Sequence, residues 1–232
     1  MSVRWDSSRI HEFSQLRRLQ IESDTITVAE LVKAVVSPNL RGIQLGCSHP
    51  VSQAGGIPYG VTNLLHEILR ILCNRSAESL RSVNINFEQV YLRHSETDSD
   101  SNFLHLIRPT LQFHRLEQLI INAIAAYNGE LVMGMLTPAI LAAWPKIELL
   151  SIPVLSVSPD TLEAATRTCP NLKSLTVMRL SEIFLGRLEA AIQNHSRRDG
   201  HELQELRLCI PAKVADPANT TEIAHFLCQL FP

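Results

Sequence analysis

One short phrase recurs seven times along this 232-residue chain: an apolar residue, two variable residues, an apolar residue, one variable residue, an apolar residue. The copies are Leu16-Leu19-Ile21, Leu40-Ile43-Leu45, Leu80-Val83-Ile85, Leu116-Leu119-Ile121, Ile147-Leu150-Ile152, Leu172-Leu175-Val177 and Leu203-Leu206-Leu208. Their first positions lie 24, 40, 36, 31, 25 and 31 residues apart. A repeat constrains architecture before any single motif does. That range of intervals brackets the length of one strand, one helix and their connections. Within a strand the second and third apolar positions share a face, and the residues between them point the other way.

The intervals carry helical periodicity. It is found at Ile26–Val36, Val61–Cys73, Leu131–Trp144 with Pro138 inside, Leu162–Cys169, Ile183–Ile192 and Ile223–Phe231. Ser158-Pro159-Asp160 is a helix-start signal before the fourth of these. Phe103–Phe113 is a weaker candidate, interrupted by Pro109. Pro38, Pro145 and Pro170 each stand two residues before a phrase, where Pro ends a helix and extends the chain. Strict strand–helix alternation predicts an α/β class with parallel strands. Repetition at this period predicts a solenoid, with about seven strands on the concave side and helices on the convex side.

Phe13-Ser14-Gln15-Leu16-Arg17-Arg18-Leu19-Gln20-Ile21 and Cys169-Pro170-Asn171-Leu172-Lys173-Ser174-Leu175-Thr176-Val177 resemble leucine-rich repeats. They are similar in particular to the degenerate repeats of fungal F-box/leucine-rich-repeat proteins. The resemblance spans Phe13 to Pro232. It implies the substrate-recruiting part of a ubiquitin-ligase receptor, whose F-box binds a ligase adaptor while the repeats hold the substrate. No F-box is seen here: 15 residues precede the first phrase, against about 40–50 for such a module. An adaptor partner is therefore expected only if an F-box exists elsewhere. In the family's strict repeat an Asn or Cys follows the first Leu by eight residues. Asp24, Ser48, Glu88, Ile124, Leu155, Leu180 and Pro211 stand there instead, so no asparagine ladder forms and irregular curvature is expected.

The bulk properties fit one repeat domain. Apolar residues make up 45% and aromatic ones 5%, so the core is built from aliphatic side chains. Net charge is −2, without the basic stripe that nucleic-acid binding needs. No apolar run reaches membrane-spanning length, and Met1–Asp6 lacks a signal core. Five scattered cysteines read as free thiols, which predicts a cytoplasmic or nuclear protein.

Motifs for catalysis are weak. Gly129–Gly134 has phosphate-loop spacing, but Met135 and Leu136 occupy the Lys and Ser/Thr places, so it reads as a loop entering a helix. Asp98–Asn102 starts like a calcium loop, yet Phe103 and Pro109 replace the required Gly and Glu. None of nine histidines, His66, His105 and His225 among them, has a metal-ligand spacing, and there is no Cys-x-x-Cys. The expectation is no enzyme, no cofactor and no metal. Gly46–Gly60 and Tyr91–Asn102 read as loops able to make contacts.

Function is thus expected from a surface. The outward strand positions form a panel for a protein partner or substrate: Arg18, Gln20, Gln44, Asn84, Asn86, Gln118, Asn122, Thr176 and Arg207, with the apolar Ile120, Leu149 and Met178 among them. A free-standing scaffold without a ligase link is the second reading, and an enzyme with a site on the same face the third. Residues 1–15 read as a lead-in and 16–232 as the repeat domain. The apolar helix before Pro232 predicts an eighth strand beyond it, and hence incomplete cover for Phe226, Leu227, Leu230 and Phe231.

Overall fold

A computed structural model describes residues 11–47, 61–91, 107–127, 130–131, 134–180, 201, 203–209 and 217–231. β1 (His11–Glu12) and β2 (Arg18–Ser23) precede α1 (Thr25–Ala34), β3 (Val35–Val36) and β4 (Gly42–Cys47). α2 (Val61–Ser76) leads into β5 (Ser82–Tyr91), and a 3-10 turn (Arg108–Gln112) into β6 (Gln118–Tyr127). β7 (Glu130–Leu131) and β8 (Gly134–Leu136) precede α3 (Pro138–Ala142) and β9 (Leu149–Val157). α4 (Pro159–Thr168), β10 (Ser174–Leu180), β11 (Glu205–Leu208) and α5 (Pro217–Leu230) complete the described order.

Every copy of the phrase becomes a strand. The seven lie in one parallel sheet, in the order in which the chain writes them: β2, β4, β5, β6, β9, β10, β11. The fold is α/β. One junction geometry recurs six times. The carbonyl just ahead of each strand accepts two N–H groups from the next copy, as when Arg41 N and Gly42 N reach Arg17 O at 2.8 and 3.0 Å. A carbonyl has two lone pairs, so the fork satisfies three backbone groups at each crossing. Residues 41, 81, 117, 148 and 173 play the same accepting part in turn.

Two apolar rows run across the sheet beneath this line. Ile43, Val83, Leu119, Leu150 and Leu175 are at most 2% exposed, and Leu45, Ile85, Ile121, Ile152 and Val177 at most 1%. The leading residues Leu40, Leu80, Leu116, Ile147 and Leu172 join them. So do Val28, Val32, Leu65, Ile68, Leu69, Leu141 and Leu162 from the helices. α1 packs on α2, α3 on α4, and α4 on α5. Helices cover this face of the sheet. The other face alternates into polar, accessible residues, the pattern of a sheet solvated on one side. Trp144 closes the centre of the core, and its indole N–H donates to Thr110 O at 2.8 Å.

Four details depart from expectation. Leu131–Trp144 is not one helix: Pro138 starts α3, with Thr137 as its N-cap, and the residues ahead of it include β7 and β8. Within the phosphate-loop-like stretch, Glu130 and Leu131 pair antiparallel with β6 and Gly134 opens β8, so its described residues are strand rather than the entry to a helix. Ile26 is 71% exposed, because α1 turns Val28, Ala29 and Val32 to the core. Phe226 and Leu230 are covered, at 1% and 4% exposure, while Leu227 and Phe231 are half-buried against the core. Ser158 caps α4 through Thr161 N, and Pro159 opens it as read. The helix at Ile183–Ile192, the segment 48–60 and the calcium-like loop lie outside the described residues.

Candidate protein-interaction face

Parallel pairing in register turns the outward positions into rows that cross the sheet. The first row reads Arg18, Gly42, Ser82, Gln118, Leu149, Ser174, Glu205. The second reads Gln20, Gln44, Asn84, Ile120, Ser151, Thr176, Arg207. A third, four strands wide, reads Glu22, Gly46, Asn86, Asn122. Eleven of the twelve expected residues stand in these rows. Arg18, Gln20, Gln44, Asn86, Gln118, Asn122 and Arg207 are exposed, and Asn84, Ile120, Leu149 and Thr176 half-buried. Ile120 and Leu149 occupy diagonal positions on neighbouring strands, within reach of each other.

Met178 is the exception. It is 8% exposed, beside a register shift between Val177 and Arg179. The irregularity breaks the alternation that would have turned it outward.

Side chains in the rows hydrogen-bond to one another. Ser82 Oγ donates to Gln118 Oε1 at 3.3 Å and Ser174 Oγ to Glu205 Oε2 at 2.9 Å. Arg207 Nε donates to Glu205 Oε1 at 2.7 Å. The Ser174 hydroxyl, and then the Arg207 guanidinium, hold the Glu205 carboxyl below its ordinary range.

A further row was not singled out from sequence: Arg17, Arg41, Arg81, Glu117, Glu148, Lys173 and Gln204, the second position of each phrase, linked in turn by the forked bonds. The signal was present as a column of the repeat, but it falls just ahead of the strands, where alternation is not read. Arg81 pairs with Glu117 at 2.5 Å and Lys173 with Glu148 at 3.0 Å. With Arg18, Gln20, Gln44 and Asn84, the first four members line a shallow cleft of about 840 Å³. Its floor is low at Gly42, where no side chain rises between Arg18 and Ser82.

Two buried cysteines and one histidine are used structurally, whereas Cys209 and Cys228 are exposed free thiols. Burial raises the Cys73 and Cys169 thiols above their ordinary pKa, which keeps them protonated and unreactive. Cys73 Sγ lies 3.0 Å from Gln112 Oε1, and Cys169 Sγ 3.4 Å from Leu141 O. His201 accepts from Leu203 N at Nδ1, so its Nε2–H donates to Cys169 O at 2.9 Å, tying two repeats together. His66 is half-buried on α2 and His225 exposed on α5, while His105 lies outside the described residues. Among the described residues no three His, Cys, Asp or Glu side chains gather as a metal site requires. No described helix is long and apolar enough to cross a membrane. Compared with known proteins, the chain matches no family model and no curated protein.

Proposed function

We propose that this chain is a non-enzymatic leucine-rich-repeat solenoid that binds a protein partner across its open, concave sheet face. One observation carries the reading: seven parallel strands in chain order align mostly amide, hydroxyl and charged side chains, interspersed with Gly42, Gly46, Ile120 and Leu149, in rows on the face that helices leave uncovered. Such rows offer donors and acceptors along a path several strands wide, with Ile120 and Leu149 as an apolar centre. The recurrence of one forked junction six times supports the repeat reading over an open wound sheet. The resemblance to F-box/leucine-rich-repeat proteins narrows the partner to a ubiquitin-ligase substrate.

The test is capture of partners from an extract of the source organism, with bulky neutral obstacles placed on the panel. Asn84→Trp with Thr176→Trp is expected to abolish capture and leave the circular dichroism spectrum unchanged. Asn74→Trp, on the exposed side of α2, is expected to capture normally. The reverse ranking would move the site to the helices. Recovery of ligase adaptor subunits supports the receptor reading, and a single unrelated partner the scaffold reading.

A further inference from the structure

We infer that the cleft at the first four copies of the phrase takes an extended acidic segment of the protein partner. The inference rests on the reading of the sheet face as a docking surface and names what docks there.

The cleft is unbalanced in charge. The chain as a whole carries −2, yet four arginines and one glutamate line this cleft: Arg17, Arg18, Arg41, Arg81 and Glu117. Arg81 and Glu117 satisfy each other. The side chains of Arg17, Arg18 and Arg41 make no hydrogen bond or ion pair within the described residues. Arg17 and Arg41 stand on successive copies, joined by the forked bond, so their backbones are about 4.8 Å apart. Like charges facing each other across a sheet are unfavourable. The same row shows the favourable alternative twice, in Arg81–Glu117 and Lys173–Glu148. The unbalanced end of the row therefore favours an anion beside it.

The chemistry of the cleft selects the anion. A guanidinium fork matches a carboxylate with two parallel hydrogen bonds. Beside the arginines, Gln20, Gln44 and Asn84 present both donors and acceptors. A peptide backbone uses both, through its C=O and N–H groups. A DNA backbone offers acceptors only, and nucleic acids favour a longer basic track than three free cations provide. Gly42 supplies the room. A Cβ there would meet Arg18 Cγ at 3.6 Å and Ser82 Cβ at 3.8 Å, ordinary contacts, so the floor can be raised without strain.

The experiment measures binding of the full chain to immobilised decapeptides of alternating Glu and Ser, of alternating Gln and Ser, and to a ten-nucleotide thymidine strand. The glutamate peptide is expected to bind best and to weaken as salt rises from about 50 to 300 mM, since exposed charges are screened over that range. Arg17→Glu with Arg41→Glu should lower its affinity by about tenfold or more. Gly42→Val, which changes no charge, should lower it several-fold. Arg70→Glu, remote on α2, should leave it unchanged. Equal binding of the glutamine peptide, tighter binding of the oligonucleotide, or indifference to both cleft variants would each overturn the inference. If Asn84→Trp with Thr176→Trp blocks partner capture and Arg17→Glu with Arg41→Glu does not, the sheet face stands as the docking surface and the acidic ligand falls.

Discussion

Asp24 shows how one side chain can start an element. It stands eight residues after Leu16, outside the core, and caps α1. Its carboxylate accepts from Thr27 N at 3.0 Å and from Thr27 Oγ1 at 2.5 Å. The Thr27 hydroxyl, followed by the Thr27 N–H, lowers its pKa from the ordinary 3.8. A lowered carboxylate pKa stabilises the fold fully above the unfolded value and loses that contribution as pH falls through the folded one. Asp24→Ala is therefore expected to cost about 1 kcal/mol at pH 7, with the gap to wild type closing below pH 3.8. Asp24→Asn keeps the cap and should cost less. Urea titrations at several pH values measure both, and a gap that persists in acid would mean that the charge is not involved. At this scale the sequence was legible where a residue repeats a column and obscure where it does not. The panel positions followed from alternation. Met178 did not, because a register irregularity leaves no mark in composition.

The elements follow the same logic. Strands were readable because three apolar positions recur in each copy, and Pro38, Pro145 and Pro170 announce three of them. Helices with caps were readable too, as Ser158-Pro159 shows. Leu131–Trp144 misleads because its apolar residues fit helical spacing and short strands equally well, and Pro138 stands at the start of α3 rather than inside a longer helix. Position along the sheet also sets the worth of a core residue. Leu119 is fully buried between two neighbouring strands, whereas Leu19 is half-buried on β2, at the edge of the sheet. Leu119→Ala is expected to cost about 2–5 kcal/mol, and Leu19→Ala about 1–2 kcal/mol. Denaturant midpoints decide this, and equal shifts would show that the edge is as tightly held as the centre. α1 is further tied at its C-terminal end by Arg75 of α2, whose guanidinium donates to Lys33 O at 2.7 Å. That cation meets the negative end of the helix dipole, a cross-repeat tie that no local pattern in α1 reveals.

Across the whole molecule, the strand order has a mechanical consequence. Among the seven strands each pairs only with the copy before it and the copy after it, while the short β7 and β8 add to β6 and β9 within one interval. A pull applied at the two outer strands, along the line on which they succeed one another, therefore loads the inter-strand boundaries in series, so that one boundary gives way at a time. The hydrogen bonds at that boundary peel in series instead of resisting together in shear. Extension in an optical trap, with handles fixed at Ser23 and Glu205, is expected to give a succession of small, low-force rips. Their lengths should follow the unequal intervals between the phrases. One large rip at high force would mean that non-adjacent copies hold each other. Under load, such a chain behaves as a spring that lengthens link by link. It can give way at its outer copies while the middle keeps its rows intact.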